Sequence, residues 1–486
     1  MNFEDHPMVR DPDRRTEPAL PSDAGRKFGI RWIWVVFILA MITRLAMLIL
    51  MIVRGQGAAT LEFPDEQQYW QIAQSIAAGM GMRDELGFQA SRMPLFPLVL
   101  SLATFLPQGV LVARFTLAIL GSCIAVIVML LADRMFGGAE KTRTSFQPSG
   151  EKAKQGFGSI AVVAGLLSAI DPWLAYSSLL LLTDIPFTLA LLFLWFVLPL
   201  GETRKINRTG FRRWLLIGVV ASLCVYMRET GLPILILLGL FLAAKGRWRR
   251  ETLLGLGVAA AVLGMALLPW AGRNRMILGE WQWLTTRAGI SLYDGVGPQA
   301  NGASDLGKIK QMPAVAGLTE LAWNRYFQSE SLKAIQGEPM RILRLAGTKL
   351  ARTWNPVPNL ETYRSASVRW LLAAWSLPTL VLAAMGSILK WTSAKKCKSK
   401  EEDEIRSSDL ASGIRWKIGL LLIPPAGVTL LHTVFVGSVR YRLMAIPFLH
   451  ILAALCIVAV VGTFSQRFSI GSTKQVDFRR PPTGNP

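Results

Sequence analysis

Ten apolar stretches recur along this 486-residue chain, at residues 31–53, 110–135, 157–170, 184–200, 214–227, 231–244, 252–270, 370–390, 417–435 and 443–464. The hydrocarbon core of a bilayer is about 30 Å thick and takes roughly 20 apolar residues to cross as a helix. Inside lipid every backbone N–H and C=O must be satisfied within the protein, and helices do this segment by segment. The sequence therefore predicts an all-α integral membrane protein. Only 17% of its residues are charged, against about a quarter in soluble domains. The first apolar run begins near Ile30 and lacks a small-residue cleavage site, so it reads as a retained anchor, not a signal peptide.

An eleventh apolar stretch, 93–106, is bounded by Pro94, Pro97 and Pro107. At about thirteen residues it has the length of an interfacial helix. Counting it as a span would turn the short basic connections 134–154, 204–213 and 245–250 outward, against the tendency of Lys and Arg to stay on the cytoplasmic side. The expected topology has ten spans and both termini in the cytoplasm. Its external face comprises a first loop, 54–108, with amphipathic surface helices, then a turn at 171–178, a segment at 271–369 and a loop at 436–442.

The expected organisation is a disordered cytoplasmic tail (1–29), a transmembrane module (30–270), a small external subdomain (271–369), C-terminal transmembrane helices (370–464) and a second cytoplasmic tail (465–486). The net charge of +21 then mostly orients the chain and implies no nucleic acid. Four cysteines without CxxC or Cys/His spacing argue against a disulfide scaffold or zinc module.

Residues 63–81, FPDEQQYWQIAQSIAAGMG, open with Pro64 at a first helical position and Asp65 and Glu66 in the first turn. Tyr69, Ile72, Ala73, Ile76 and Ala77 follow at helical spacing. Two acids in a first turn are also ordinary partners of the helix dipole, so a role in chemistry needs independent company. That company is SRMPLFPLVL at 91–100, LLLTDIPFTLALLF at 180–193, PWAGRNRMILGEW at 269–281 and GSVRYRLMAIPF at 437–448.

Taken together, in this order and at these places relative to the spans, the motifs resemble the GT-C superfamily of glycosyltransferases. The resemblance is greatest to glycosyltransferase family 39 and its bacterial relatives: dolichyl-phosphate-mannose-protein mannosyltransferases, 4-amino-4-deoxyarabinose transferases acting on lipid A, and Rgt-type enzymes. It covers about residues 30–464. What it implies is a polyprenyl-phosphate sugar donor, a hydroxyl acceptor on a glycan, lipid or protein, and an active site on the outer face of a membrane, here the bacterial plasma membrane.

The resemblance makes Asp65 the catalytic acid of the first external loop, with Glu66 beside it as the fallback, and Asp184 a second acid for metal or acceptor. An acceptor hydroxyl attacking the anomeric carbon needs a base, and a leaving phosphate needs charge stabilisation. Arg forks suit that second task, which makes Arg440, Arg442, Arg273, Arg275 and Arg92 candidates for the donor phosphate, with snorkelling to lipid headgroups as the alternative for each. Tyr69 and Tyr441 are candidate sugar or lipid contacts. Arg228 and Glu229, adjacent and opposite in charge, can satisfy each other and are given no role. The stretch WLTTRAGISLYDGVGPQANG, 283–302, resembles the family's loop around donor and acceptor.

Metal dependence stays open: Mg²⁺ or Mn²⁺ between Asp65, Asp184 and phosphate oxygens is chemically reasonable. His432 and His450 have no ligand spacing. Arg44, mid-span, calls for a buried partner, Asp184 or Glu229. The competing class is a multi-pass transporter or flippase, but the acids sit at the outer rim and no internal repeat is visible.

Overall fold

The computed structural model describes residues 23–53, 57, 59–137, 157–200, 208–359, 365–396 and 401–473. Of the expected tails 1–29 and 465–486, residues 1–22 and 474–486 lie outside these, as do most of the basic connections within 138–156, 201–207 and 397–400, while 23–29 and 465–473 are helical. Among the described residues the chain is helical and forms no strand.

Every expected apolar stretch is a helix. The expected transmembrane module carries α1 (Asp23–Val53), α2 (Pro64–Ala77), α3 (Leu95–Thr104), α4 (Gly109–Ala132), α5 (Ser159–Ile170), α6 (Pro172–Ser177), α7 (Asp184–Val197), α8 (Arg208–Met227), α9 (Gly231–Lys245) and α10 (Arg250–Leu278). Residues 271–369, the expected external segment, hold α11 (Ala288–Val296), α12 (Leu306–Lys310), α13 (Glu320–Gly337) and α14 (Pro339–Thr353). α15 (Ala366–Lys396), α16 (Glu401–Val434) and α17 (Ile446–Thr473) complete the bundle.

Six helices, α1, α4, α8, α10, α15 and α16, are long and apolar enough to cross a membrane. α5, α7 and α9 have 12, 14 and 15 residues, which at about 1.5 Å per residue gives roughly 18–23 Å, less than a hydrocarbon core. The expected count of ten full spans is therefore not met by helix length alone. α3 is the eleventh apolar stretch and is as short as expected, at 10 residues.

α4 lies centrally, packed by α1, α5 and α7, while α17 packs on α5 and α15, and α10 on α8. Ile124, Val128, Leu191, Trp195, Phe448 and Leu452 are among the buried side chains of this core. Trp195 also satisfies its indole N–H on the Leu420 carbonyl at 3.0 Å, as a buried polar group must.

Small residues set the closest approaches. A Cβ on Gly386 of α15 would lie 2.0 Å from the Leu452 carbonyl oxygen of α17, so this crossing depends on glycine. Gly386→Val should accordingly cost about 1–3 kcal/mol by overpacking, read as a lowered melting temperature of the detergent-solubilised protein; an unchanged value would show that the two helices can separate freely.

Arg44 is fully buried and has neither expected partner. Its guanidinium donates through the two Nη groups to the carbonyls of Ala40 (2.9 Å), Ala169 (3.2 Å) and Gly121 (2.9 Å), so three helices meet it with backbone oxygens while Nε is left without a partner among the described residues.

The external segment shares a core with the first loop: Phe88 packs against Ile290, Val315, Trp323 and Phe327. The Glu320 carboxylate also accepts the backbone N–H groups of Gln89 and Ala90 at 2.6 and 2.9 Å.

Candidate functional site

Phe63 is extended, Pro64 starts α2, and Asp65 and Glu66 follow in its first turn. α2 does not simply lie on a membrane surface. Tyr69 and Ala73 pack on Phe96 and Leu100 of α3, and Ile72 packs among Met93, Val225 and Trp270. With protein on these sides, the first turn is fixed over the end of the bundle.

The two adjacent acids point to different tasks. Glu66 is fully buried; its carboxylate accepts the N–H groups of Leu181 (2.9 Å) and Phe63 (3.2 Å) and lies 4.0 Å from Arg114. Burial pushes the Glu66 carboxyl pKa up despite these bonds. Glu66 thus ties the first loop to residues 178–183, the segment that leads into Asp184, and has no opening toward a substrate. Glu66, the expected fallback base, is thus engaged by backbone N–H groups and out of contact with solvent.

Asp65 is 24% exposed and surrounded by guanidiniums: Arg92 pairs with Oδ1, Arg440 Nη1 reaches Oδ2 at 2.8 Å, and Arg287 stands 3.9 Å from Oδ1. Asp184, 3% exposed, pairs with Arg228 through Oδ1 and with Arg440 Nε through Oδ2 at 2.8 Å. One planar fork, Arg440, bridges both acids, which a point-like ammonium could not do. Burial alone would raise the Asp65 pKa, but Arg92, Arg440 and Arg287 outweigh it and hold the carboxyl well below the usual range. The two acids in turn keep Arg440 protonated, its pKa raised against burial.

Four guanidiniums meet two carboxylates here. Glu229 also acts electrostatically on Arg92 and Arg287, and a surplus of positive charge remains. Both oxygens of Asp65 and of Asp184 already face arginine, and among the described residues no three His, Cys, Asp or Glu side chains converge. This donor set does not fit a resident divalent cation; it fits an anion.

Arg440 owes its position to the external segment. Lys349 of α14 donates to the Val434 carbonyl at 2.6 Å at the end of α16, and Gly437 N–H donates to Gly302 at 3.1 Å, pinning the loop that carries Arg440.

Of the five arginines expected at a donor phosphate, Arg92 and Arg440 are in the cluster and three are elsewhere. Arg442 is buried, donates to the Asn355 carbonyl at 2.6 Å and lies over Trp173 at 5.2 Å. Arg273 donates to Gln89 O at 2.9 Å and covers Trp270. Arg275 is exposed near the end of α10. Tyr69 is buried edge-on against Phe96, with Arg92 4.6 Å from its ring centre. Tyr441 stacks on His432 at 4.2 Å and faces Arg228. Both tyrosines therefore line the arginines.

Arg287 and Gln68 carry no role in the sequence reading, and Arg228, set aside there as a partner of Glu229, pairs with Asp184. Arg228 had a usable signal, an arginine in the short turn between two apolar stretches. Arg287 lay inside the 283–302 stretch without a role.

Among the described residues the fold is an all-helical bundle, roofed at one end by the helical segment after the seventh apolar stretch. The solved structure of the archaeal oligosaccharyltransferase AglB from Archaeoglobus fulgidus, in complex with an inhibitory peptide and a dolichol-phosphate, shares it with a TM-score of 0.51 at 14% identity, over 93% of this chain and 53% of that one. The chain thus spans about half the length of AglB. ArnT from Cupriavidus metallidurans, bound to undecaprenyl phosphate, aligns with a TM-score of 0.36 at 15% identity, over 90% of this chain and 77% of that one. No family model matches the sequence, and no curated protein matches it. The chain is an all-helical integral membrane protein that shares the fold of AglB.

Proposed function

We propose that this protein is a membrane glycosyltransferase that moves a sugar from a polyprenyl-phosphate donor to a hydroxyl acceptor at the outer face of a bacterial plasma membrane, with ten membrane passages and both termini in the cytoplasm. The observation that carries the reading is the surplus of arginine around Asp65 and Asp184 at one end of the bundle. Fixed guanidiniums of this kind match phosphate oxygens, and an outward-facing transferase has no nucleotide sugar available and must draw on a lipid carrier.

In the reaction the acceptor oxygen bonds to the anomeric carbon as the bond from that carbon to the phosphate oxygen breaks. The electron pair leaves with the phosphate, where the arginines stabilise it, and the acceptor proton passes to Asp65. Asp65 suits this better than Asp184 because it is reachable from solvent. While Arg92, Arg287 and Arg440 hold it, Asp65 is a weak base; a donor phosphate competing for the same guanidiniums relieves that hold and raises its basicity where the acceptor arrives.

The pH dependence follows from the direction of the shift. A carboxyl whose pKa is depressed in the fold contributes stability above its unfolded value, near 4, and loses it only as pH falls further through the folded value. In kcat/KM, which reports the free enzyme, Asp65 should give no acid limb between about pH 5 and 7. A limb in that window that disappears in Asp65→Asn would contradict the assigned environment.

The decisive experiment is transfer of a radiolabelled sugar from polyprenyl phosphate to endogenous acceptors in membranes carrying the protein. Substrate uptake by proteoliposomes with no covalent transfer would instead establish the transporter reading. The Nη groups of Arg44 are held by backbone carbonyls of three packed helices, a structural setting and not a substrate pathway.

A further inference from the structure

Gln68 stands one turn beyond Asp65 on α2 and is 4% exposed. Its amide is committed at both ends. Oε1 accepts from Arg92 Nε at 2.9 Å, from Arg92 Nη2 at 2.6 Å and from Arg287 Nη1 at 2.6 Å. Nε2 donates to Asp84 Oδ2 at 3.0 Å. The other Asp84 oxygen accepts the N–H groups of Leu86 and Phe88, each at 3.0 Å, within the first external loop.

Two like-charged guanidiniums converging on one atom require an acceptor. An amide turned by 180° would offer them its NH₂ group, adding repulsion and losing three bonds. Nothing in Gln68 itself chooses between the two orientations, since its oxygen and nitrogen ends are nearly the same size. A carboxylate, however, only accepts, so Asp84 can be served only by the Gln68 NH₂ group, and this turns the oxygen toward the arginines.

We propose that Gln68 and Asp84 form an orienting pair, in which Asp84 fixes the Gln68 amide so that its oxygen holds Arg92 and Arg287 together where a lipid-linked phosphate meets them. This inference rests on the proposed phosphate site. Gln68 and Asp84 act through the two arginines and are positioning residues.

A swap of chemical polarity tests the pair. In Asp84→Asn the new side chain can keep the Leu86 and Phe88 bonds through its oxygen, leaving its NH₂ group toward Gln68, whose amide must turn. In Gln68→Glu two carboxylates face each other. Each single variant should bind a polyprenyl phosphate in detergent about tenfold more weakly or worse, as expected for lost hydrogen bonds to charged groups.

In the double variant, Gln68→Glu with Asp84→Asn, the amide now at position 84 donates to the carboxylate now at position 68. A carboxylate oxygen again faces the arginines, and the net charge is that of the wild type. Its affinity should stand at least about threefold above that of Gln68→Glu, the coupling that defines an interacting pair, while the carboxylate now on the arginines keeps it below wild type. If Asp84 only caps its loop, Asp84→Asn binds like wild type and the double is no better than Gln68→Glu; either result overturns the pairing. Should Asp84→Asn fail to fold, the comparison of Gln68→Glu with the double carries the test by itself. Absence of binding by the wild type overturns the phosphate-site reading and the pair's purpose with it, whereas wild-type binding without rescue overturns the pair alone.

Discussion

Asp65→Asn should lose turnover by about 10²–10⁴-fold, the range for removal of a general base, while binding a polyprenyl phosphate at least as tightly as the wild type. The two readouts move in opposite directions for one reason. Asparagine is nearly isosteric with aspartate but neutral, so it cannot take the acceptor proton, and it releases Arg92, Arg287 and Arg440 from their counter-charge. The freed guanidiniums are then available to the phosphate. Glu66→Gln is the internal comparison: its carboxylate serves the Leu181 and Phe63 amides, so its effect should fall on thermal stability, with the chemical step reduced far less. Unchanged turnover in Asp65→Asn would remove this residue from catalysis.

Arg440→Met should lower kcat/KM for the lipid-linked donor by about 100-fold or more, since removing one partner from a partly buried charge network leaves the others uncompensated. Asp184 keeps Arg228, and Asp65 keeps Arg92 and Arg287, but nothing then joins the two acids. The melting temperature should fall as well. Arg440→Lys is the discriminating variant. Arg440 uses Nε for Asp184 and Nη1 for Asp65, both at 2.8 Å, and a single ammonium offers no such fork. Wild-type kinetics in the lysine variant would mean that positive charge suffices and the bridge does not matter.

The ends of the bundle were harder to read than its middle. Apolar runs identify helices because lipid leaves the backbone no alternative, and each expected stretch is helical. Their lengths were not legible, since short helices such as α5 gain burial from neighbours and a hydropathy run cannot register that. Within the site, Asp65, Asp184, Arg92 and Arg440 could be picked out because each sits in a short motif at the rim.

Arg442 looked equivalent to Arg440, yet Tyr441–Met444 forms a 3₁₀ turn. At about three residues per turn, side chains two positions apart point roughly 120° away from each other, which sends Arg442 toward Asn355 and Trp173. Arg287 and Gln68 lie 219 residues apart in sequence and share a hydrogen bond that only the folded packing of α2 against the external segment creates. Local pattern carries no trace of such a meeting.

The setting of Arg44 bears on how the chain is built. On insertion scales a central arginine costs a helix about 2.5–3.5 kcal/mol, and α1 on its own supplies Ala40 and Thr43 to meet the guanidinium. The remaining acceptors are Gly121 on α4 and Ala169 on α5, 77 and 125 residues further along. α1 is thus incomplete as a lipid-facing object until two later helices have been synthesised, and the order of translation becomes the order in which this part of the bundle can close.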